Sequence, residues 1–154
     1  MLQALMDSMT DAVFWKDLDS RYVGCNKAFS DLAGFEPGLL LGKSDIDMPW
    51  ADAADYSSEW FADWDRLVLE SGEPRFGILE RLTGADGSEV WIETNKVPLR
   101  DSSGEIIGLL GTFRNVSESH EAQEELRRTL DDLCLLYTSP SPRDATLSRM
   151  PSSA

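Results

Sequence analysis

Residues 14–35, FWKDLDSRYVGCNKAFSDLAGF, contain the order of elements that decides the fold. Phe14-Trp15 and Tyr22-Val23 are residue types that favour strands, and the mostly polar residues between them predict a tight turn. Asn26 is suited to begin a helix because its side chain accepts a backbone N–H of the first turn. Apolar residues follow at helical spacing, and Gly34 ends the predicted helix. The stretch therefore predicts strand, turn, strand and helix in close succession.

Downstream of Gly34 the pattern is helical. Residues 36–50 predict two short helical turns, and residues 52–71 predict a longer helix with Asp52 as its N-cap. Large apolar side chains recur along this helix at helical spacing and form its predicted apolar stripe. The stripe comprises Tyr56, Trp60, Trp64 and Leu67, flanked by Phe61 and Val68. The acidic residues expected to face water are Asp63, Asp65 and Glu70.

The second half of the chain predicts a run of strands joined by hairpin turns. Strands are expected over residues 75–82, 89–98 and 105–115, and Asp86-Gly87 is typical of the first hairpin turn. A polar helix is expected over residues 118–133. This order predicts an α+β domain in which one antiparallel sheet holds helices on one face.

The N-terminus predicts a short amphipathic helix that leads into the first strand. Its apolar stripe comprises Leu2, Leu5, Met6 and Met9. We interpret it as a flanking helix that covers the outer face of the sheet, and a dimer contact through the same stripe is the alternative.

Composition limits the class of function. The chain has 154 residues, enough for one domain with a sizeable core, and its net charge is −14. Such a charge disfavours nucleic acids and anionic lipid surfaces as partners. No apolar run approaches the roughly 20 residues of a membrane span, and the N-terminus lacks the features of a signal peptide. We therefore expect a cytoplasmic domain without direct membrane contact.

Four segments of the sequence resemble the PAS domain, the small sensor module of bacterial signalling proteins. They are FWKDLDSRYVGCNKAF (14–29), LLGKSDIDMPW (40–50) with the long helix after it, GADGSEVWIETNKVPLRDSSGEIIGLLGTFRNVSE (84–118) and HEAQEELRRTL (120–130). The third segment is similar to the hairpin end of PAS domains in sensor histidine kinases and diguanylate cyclases.

The resemblance implies a five-stranded antiparallel sheet with the first strand central, and a pocket between the sheet and the helices. It also implies a module that binds a small-molecule ligand or a partner domain and relays its state through flanking helices. The output domain would be a histidine kinase or a cyclic-dinucleotide enzyme.

The chain divides accordingly into four parts. Residues 1–10 are the flanking helix, 11–117 the PAS domain, 118–133 the exit helix and 134–154 a tail. The tail is rich in proline and serine and almost free of acidic residues, which predicts disorder. It also resembles translated adapter read-through, so a native and a non-native origin both stay open.

Catalytic motifs are missing from the sequence. It contains no P-loop, HExxH, GxSxG or kinase motif set. His120 resembles the start of a histidine-kinase phosphoacceptor box, but Ala122-Gln123-Glu124 do not continue that box, so we interpret His120 as a solvated linker residue. The sequence therefore predicts a non-enzymatic sensor without catalytic residues or metal ligands, whose parent protein is the kinase or cyclase.

The cofactor cannot be identified from the sequence. The long helix has no histidine, which argues against the common haem mode of PAS domains. Cys25 ends the second strand outside the motif of light-sensing LOV domains, so we expect it to be a buried structural residue. A non-covalent flavin stacked on tryptophans stays an alternative.

Charged residues recur on the strand faces that are expected to line the pocket. Lys16, Glu80 and Lys96 each share a strand face with apolar residues. A buried charge costs several kcal/mol unless it is paired, so these groups must pair, bind a ligand or reach out at the strand ends. The functional hypothesis is a pocket for a small acidic or polar metabolite.

The pocket candidates are Phe14, Lys16, Phe61, Trp64, Ile78, Glu80, Ile92, Thr94, Lys96 and Phe113. Phe76 shares the inward face of its strand.

Signal relay is expected at the junction with the exit helix. PAS domains often have Asp-Ile-Thr there, whereas this chain has Asn115-Val116-Ser117, and asparagine cannot form an ion pair. The relay candidates are Asn115, Ser117, Leu126, Leu130 and Leu133. With Gln123, the three leucines form a short a/d seam, which predicts a homodimer in the longer parent protein. The alternative function is a ligand-free dimerisation scaffold whose pocket is filled by large apolar side chains.

Overall fold

A computed structural model describes residues 1–53 and 56–138. Its strands are β1 (Ala12–Lys16), β2 (Tyr22–Cys25), β3 (Arg75–Thr83), β4 (Glu89–Arg100) and β5 (Ile106–Asn115). Its α-helices are α1 (Leu2–Asp7), α2 (Lys27–Ala33), α3 (Pro37–Leu40), α4 (Ser58–Ser71) and α5 (Ser117–Thr138). A 3-10 turn at Asp45–Asp47 separates α3 from α4. The described chain divides into two units, residues 1–117 with the sheet and a second unit that begins at residue 118 and holds most of α5.

The five strands form one antiparallel sheet in the order β2-β1-β5-β4-β3. The α+β class and the five-stranded antiparallel sheet with flanking helices are confirmed. The expectation that the first strand is central is wrong in detail, because β5 occupies the middle and β1 lies beside it. The inward face of the sheet contributes to the hydrophobic core through Phe14, Ile92, Leu109 and Phe113.

The segment that decides the fold is organised by Asn26. Its Oδ1 accepts hydrogen bonds from the backbone N–H groups of Phe29 (3.2 Å) and Val13 (2.9 Å), so one side chain caps α2 and holds β1. Its Nδ2 donates to the carbonyl groups of Met6 and Asp11. Both polar atoms of this buried amide therefore have hydrogen-bond partners. The predicted N-cap of α2 is confirmed.

The long helix begins later than predicted. Its N-cap is Ser57 rather than Asp52. Asp52 lies in a turn, where the Ala53 N–H donates to the Trp50 carbonyl and the Ser58 N–H donates to the Ala51 carbonyl. Because Trp50 is buried in the core, the chain must turn before the helix can start.

The predicted apolar stripe of α4 is only partly correct. The buried residues of the helix are Phe61, Asp65 and Val68, whereas Trp60 is 36% exposed and Leu67 is 42% exposed. The helix is therefore rotated relative to the sequence prediction, and Asp65 faces the interior instead of water. Asp63 and Glu70 are exposed as predicted.

Phe76 does not share the inward face of β3. A bulge lies between Arg75 and Ile78, where Gly77 has a φ of 68°, and Phe76 is 68% exposed. The extra residue breaks the alternation of side chains, so the prediction from strict period-two spacing is wrong at this position.

The N-terminal helix is shorter than the predicted residues 1–10, and it does not cover the outer sheet face. Helix α1 ends at Asp7 and has no buried residue, and Leu2 and Leu5 are exposed. It is held at the start of α2 instead, because Gln3 donates to the Cys25 carbonyl and Asp7 accepts from the Lys27 N–H.

The C-terminal helix extends beyond the predicted end at residue 133. Residues 134–138 continue α5, because the first proline after it is Pro140 and the leucines before it favour a helix. The disorder expected for the rest of the tail concerns residues 139–154, which lie outside the described residues. Within the described part of the chain, no helix is both long enough and apolar enough to cross a membrane.

Close packing of β5 against β1 depends on the absence of a side chain at Gly111. A Cβ at this position would lie 2.1 Å from the Phe14 ring. We predict that Gly111→Ala lowers the free energy of unfolding by about 1–3 kcal/mol through overpacking, as measured by urea denaturation. The control is Gly38→Ala at an exposed position of α3, where an added Cβ meets no atom within 4 Å. Equal effects of the two changes would contradict this account.

Candidate functional site

An internal cavity lies between the inward face of the sheet and the helices. The cavity is small. The space that the centre of a water molecule can occupy in it is about 20 Å³, which is enough for a bound water or a small group. The aromatic part of its wall comprises Phe14, Tyr22, Phe29, Trp50, Phe61 and Phe113. The sequence-predicted pocket residues line this cavity except Trp64 and Ile78. Trp64 lies instead in a surface groove with Trp60 and Leu67.

Buried charges beside the cavity form an alternating network. Lys16 Nζ lies 2.6 Å from Asp45 Oδ2 and 2.6 Å from Asp65 Oδ2. Lys96 Nζ lies 2.5 Å from Asp65 Oδ1 and donates to the Phe61 carbonyl at 3.3 Å. Both oxygens of Asp65 are therefore occupied, each by a lysine from a different strand.

Asp45 completes the network at the start of the 3-10 turn. Its Oδ1 accepts hydrogen bonds from Tyr22 Oη (2.7 Å) and from Trp50 Nε1 (3.3 Å). Burial, followed by the charge of Asp45, raises the pKa of Tyr22 well above its usual value, so the phenol stays protonated and donates.

Pairing outweighs burial for the charged members of the network. Burial alone favours neutral Lys16, but the carboxylates of Asp45 and Asp65 outweigh it and raise the lysine pKa. Burial likewise opposes ionisation of Asp65, but the charges of Lys96 and Lys16 outweigh it and lower the pKa of Asp65. Lys16 and Asp65 therefore stay ionised and form a buried ion pair.

Glu80 lies next to this network but outside its pairing. Its side chain is fully buried, and Oε2 accepts a hydrogen bond of 2.6 Å from Trp60 Nε1. Within the described residues, Glu80 Oε1 and Thr94 Oγ1 have no hydrogen-bond partner. Burial raises the pKa of Glu80, although the charge of Lys96, the neighbouring Thr94 hydroxyl group and the Trp60 N–H group oppose this shift.

Sequence reasoning placed the lysines correctly but missed their partners. The pairing of Lys96 with Glu80 that it allowed does not occur, because Asp65 takes that place. Asp65 was expected to face water, and Asp45 was not singled out. A usable signal for Asp65 was its spacing from Phe61 and Val68, which places all three on one helix face.

The predicted relay junction is closed by hydrogen bonds. Asn115 Oδ1 accepts from the Ser117 N–H at 2.9 Å, an Asx-turn hydrogen bond just before α5 begins. Ser117 Oγ accepts from the Trp91 N–H at 2.8 Å, and the Val116 N–H donates to the Trp91 carbonyl at 2.8 Å. Farther along α5, the seam residues Leu126, Leu130 and Leu133 are exposed. Signal relay by these residues stays a prediction.

Other reactive groups do not form a site in the described part of the chain. No group of three or more histidine, cysteine, aspartate or glutamate side chains there could hold a metal ion. Cys25 is buried, and burial together with the charge of Asp7 raises its pKa to about 11. This thiol is therefore protonated at neutral pH and is a weak nucleophile.

The network predicts a large cost for loss of its central charge. Asp65→Asn leaves Lys16 and Lys96 with less than their full charge compensation, so we expect the free energy of unfolding to fall by about 3–5 kcal/mol. Chemical denaturation monitored by far-UV circular dichroism measures it. The matched control is Asp63→Asn on the exposed face of the same helix, where we expect a change within about 0.5 kcal/mol. A similar stability for both variants would refute the central role of Asp65.

Comparisons with known proteins agree with this architecture. A family model described as PAS fold matches residues 6–121. The chain is 32% identical over 138 residues to the aerobic respiration control sensor protein ArcB of Escherichia coli K12, which covers 85% of this chain and 16% of ArcB. It is 34% identical over 124 residues to the methanogenesis regulatory histidine kinase FilI of Methanothrix harundinacea, which covers 80% of this chain and 13% of FilI.

A solved structure extends the comparison. VqmA bound to DPO superposes with a TM-score of 0.65 at 30% identity, covering 73% of this chain and 55% of that one. The chain thus spans only a small part of the curated relatives, which are sensor proteins. With the family match over most of its length and the observed sheet, the chain belongs to the PAS fold family.

Proposed function

We propose that this chain is a cytoplasmic sensory domain that binds a small molecule in the internal cavity. It reports the bound state to an output domain through α5. Two of the similar proteins are a respiration sensor and a histidine kinase, which favours a histidine kinase as the output. The similar VqmA structure contains the bound molecule DPO, which supports a ligand within this fold.

One observation supports ligand binding above the others. Glu80 Oε1 and Thr94 Oγ1 are buried beside the cavity without a hydrogen-bond partner among the described residues. Buried polar atoms are normally paired, since an unpaired one costs about 1–3 kcal/mol. A ligand with complementary polar atoms would recover this cost, whereas a ligand-free scaffold would need a bound water to do so.

A continuous set of contacts supports the relay. Trp60 Nε1 donates to Glu80 Oε2, and the Trp60 ring packs edge-on against Tyr56 with centroids 5.2 Å apart. Tyr56 in turn packs against Trp91 at 6.4 Å. The backbone of Trp91 forms hydrogen bonds with Val116 and Ser117, where α5 begins. A change at Glu80 therefore has a physical route to the exit helix.

The first test asks whether a ligand is present. The full chain is purified gently, and native mass spectrometry is compared with mass spectrometry after denaturation. We expect an additional mass that is lost on denaturation. Thr94→Ile should abolish it, because the larger side chain occupies the cavity and the hydroxyl group is lost. Thr112→Ile on the opposite sheet face is the control and should retain it.

A negative result in that test has a defined meaning. If the wild-type protein has no bound mass, and a fractionated metabolite extract does not raise its melting temperature, ligand sensing is wrong. The ligand-free dimerisation scaffold is then the better account.

The second test addresses the relay. Trp60→Phe removes the N–H that binds Glu80 but keeps a ring against Tyr56. We expect ligand loading to change amide hydrogen exchange over residues 117–133 in the wild-type protein but not in Trp60→Phe. Trp64→Phe on the same helix is the matched control and should respond like the wild-type protein. An unchanged response in Trp60→Phe would show that the signal takes another route.

A further inference from the structure

The charge balance of the cavity determines which ligands it accepts. Lys16 contacts two carboxylates, and Lys96 contacts Asp65 and the Phe61 carbonyl. An ammonium group has three donors, so each lysine has at most one left. An anionic ligand could reach only this remaining donor of each lysine, whose charge the buried aspartates already balance. The sequence-based hypothesis of an acidic metabolite therefore loses its main support.

The unpaired atoms in the cavity have a different preference. Glu80 on β3 and Thr94 on β4 lie on the same sheet face, two residues apart in the strand register. Trp60 holds Glu80 Oε2 and thereby orients the carboxyl group, while Oε1 has no partner within the described residues. An ionised carboxylate only accepts hydrogen bonds, and the threonine hydroxyl group accepts or donates. The complementary ligand edge therefore presents an N–H group to Glu80.

We propose that the cavity recognises a small neutral or cationic molecule through an amide-like or amidine-like edge bound to Glu80 and Thr94, and that it rejects carboxylates and phosphates. This inference rests on the proposed ligand-binding function and names the chemical class of its ligand. The remaining wall is largely aromatic, which suits an apolar group of about methyl size attached to the polar edge.

Both protonation states of Glu80 give the same preference. Burial raises the pKa of Glu80, with the charge of Lys96 opposing it. As a carboxylate, Glu80 accepts from an amidinium or amide N–H group. As a carboxylic acid whose Oε2 accepts from Trp60, it donates through Oε1 to the amide carbonyl, and Thr94 Oγ1 accepts the amide N–H. A carboxylate ligand would instead place two acidic groups together, which requires a shared proton.

Three isosteric probes test this inference: acetamidinium, acetamide and acetate. They have nearly the same shape and differ in charge and donors. The readout is the indole N–H resonance of Trp60 in a proton–nitrogen correlation spectrum, assigned with Trp60→Phe, since this group is bound to Glu80. We expect acetamidinium and acetamide to shift this resonance with dissociation constants at least about tenfold lower than that of acetate.

Variants of Glu80 and Thr94 show which residues cause the preference among the three probes. Glu80→Gln should reduce the advantage of acetamidinium over acetate, because the acidic group at that position is lost. Thr94→Val keeps shape and charge but removes the hydroxyl group, and it should weaken acetamide and acetamidinium alike. The matched control is Glu93→Gln, an acidic position on β4 that pairs with Arg114 outside the cavity, and it should leave the order of the probes unchanged.

The outcomes separate this inference from the proposed function. Acetate that binds as tightly as acetamide overturns the ligand class, while a co-purified ligand would still support sensing. A folded protein in which none of the three probes shifts the Trp60 resonance shows that Glu80 and Thr94 are not a recognition edge. Absence of any ligand in the mass-spectrometric test overturns the sensing function itself.

Discussion

The carboxylate of Asp65 is the interaction on which the rest of the structure depends. Its two oxygens bind Lys16 from β1 and Lys96 from β4, and β5 lies between these strands. One residue of α4 therefore fixes the helix across three strands of the sheet. Each ion is buried, so its desolvation is offset only while all partners are in place. We infer that this requirement selects the rotation of α4 that turns Asp65 to the interior. The buried face of the helix is therefore not fully apolar.

The same network determines the chemistry of the cavity. Two lysines on the inward face of the sheet suggest an anion site when the sequence is considered alone. Asp45 and Asp65 neutralise them, and among the described residues the buried side-chain atoms left without a hydrogen bond are Glu80 Oε1 and Thr94 Oγ1. The ligand class that we propose for the cavity therefore depends on which charges the fold has already paired. It does not follow from the types of residue that line the wall.

The sequence predicts what is local and misses what depends on distant partners. The strand–turn–strand–helix order is correct because the Asn26 cap on the Phe29 N–H and the left-handed backbone of Gly34 act within the helix that they bound. Burial of Asp65 depends on lysines 49 and 31 positions away, while the neighbouring tryptophans suggest a different helix face. Phe76 is misplaced for a related reason, because the bulge at Gly77 is not visible in the alternation of residue types.

One side of the cavity is held by the ion pairs of Asp65, and the other side by the hydrogen bond between Glu80 and Trp60, which costs less to break. Breaking an ion pair at Asp65 would cost about 3–5 kcal/mol, whereas the net contribution of a hydrogen bond such as that between Glu80 and Trp60 is about 0.5–3 kcal/mol. A small ligand shifts an equilibrium only by its differential affinity for two states. We therefore expect binding to alter the Glu80–Trp60 contact and leave the ion network intact.

Trp60 is also partly exposed, so its ring has room to move, and Tyr56 and Trp91 lie between it and the start of α5. The network then serves as the fixed support against which this movement is transmitted.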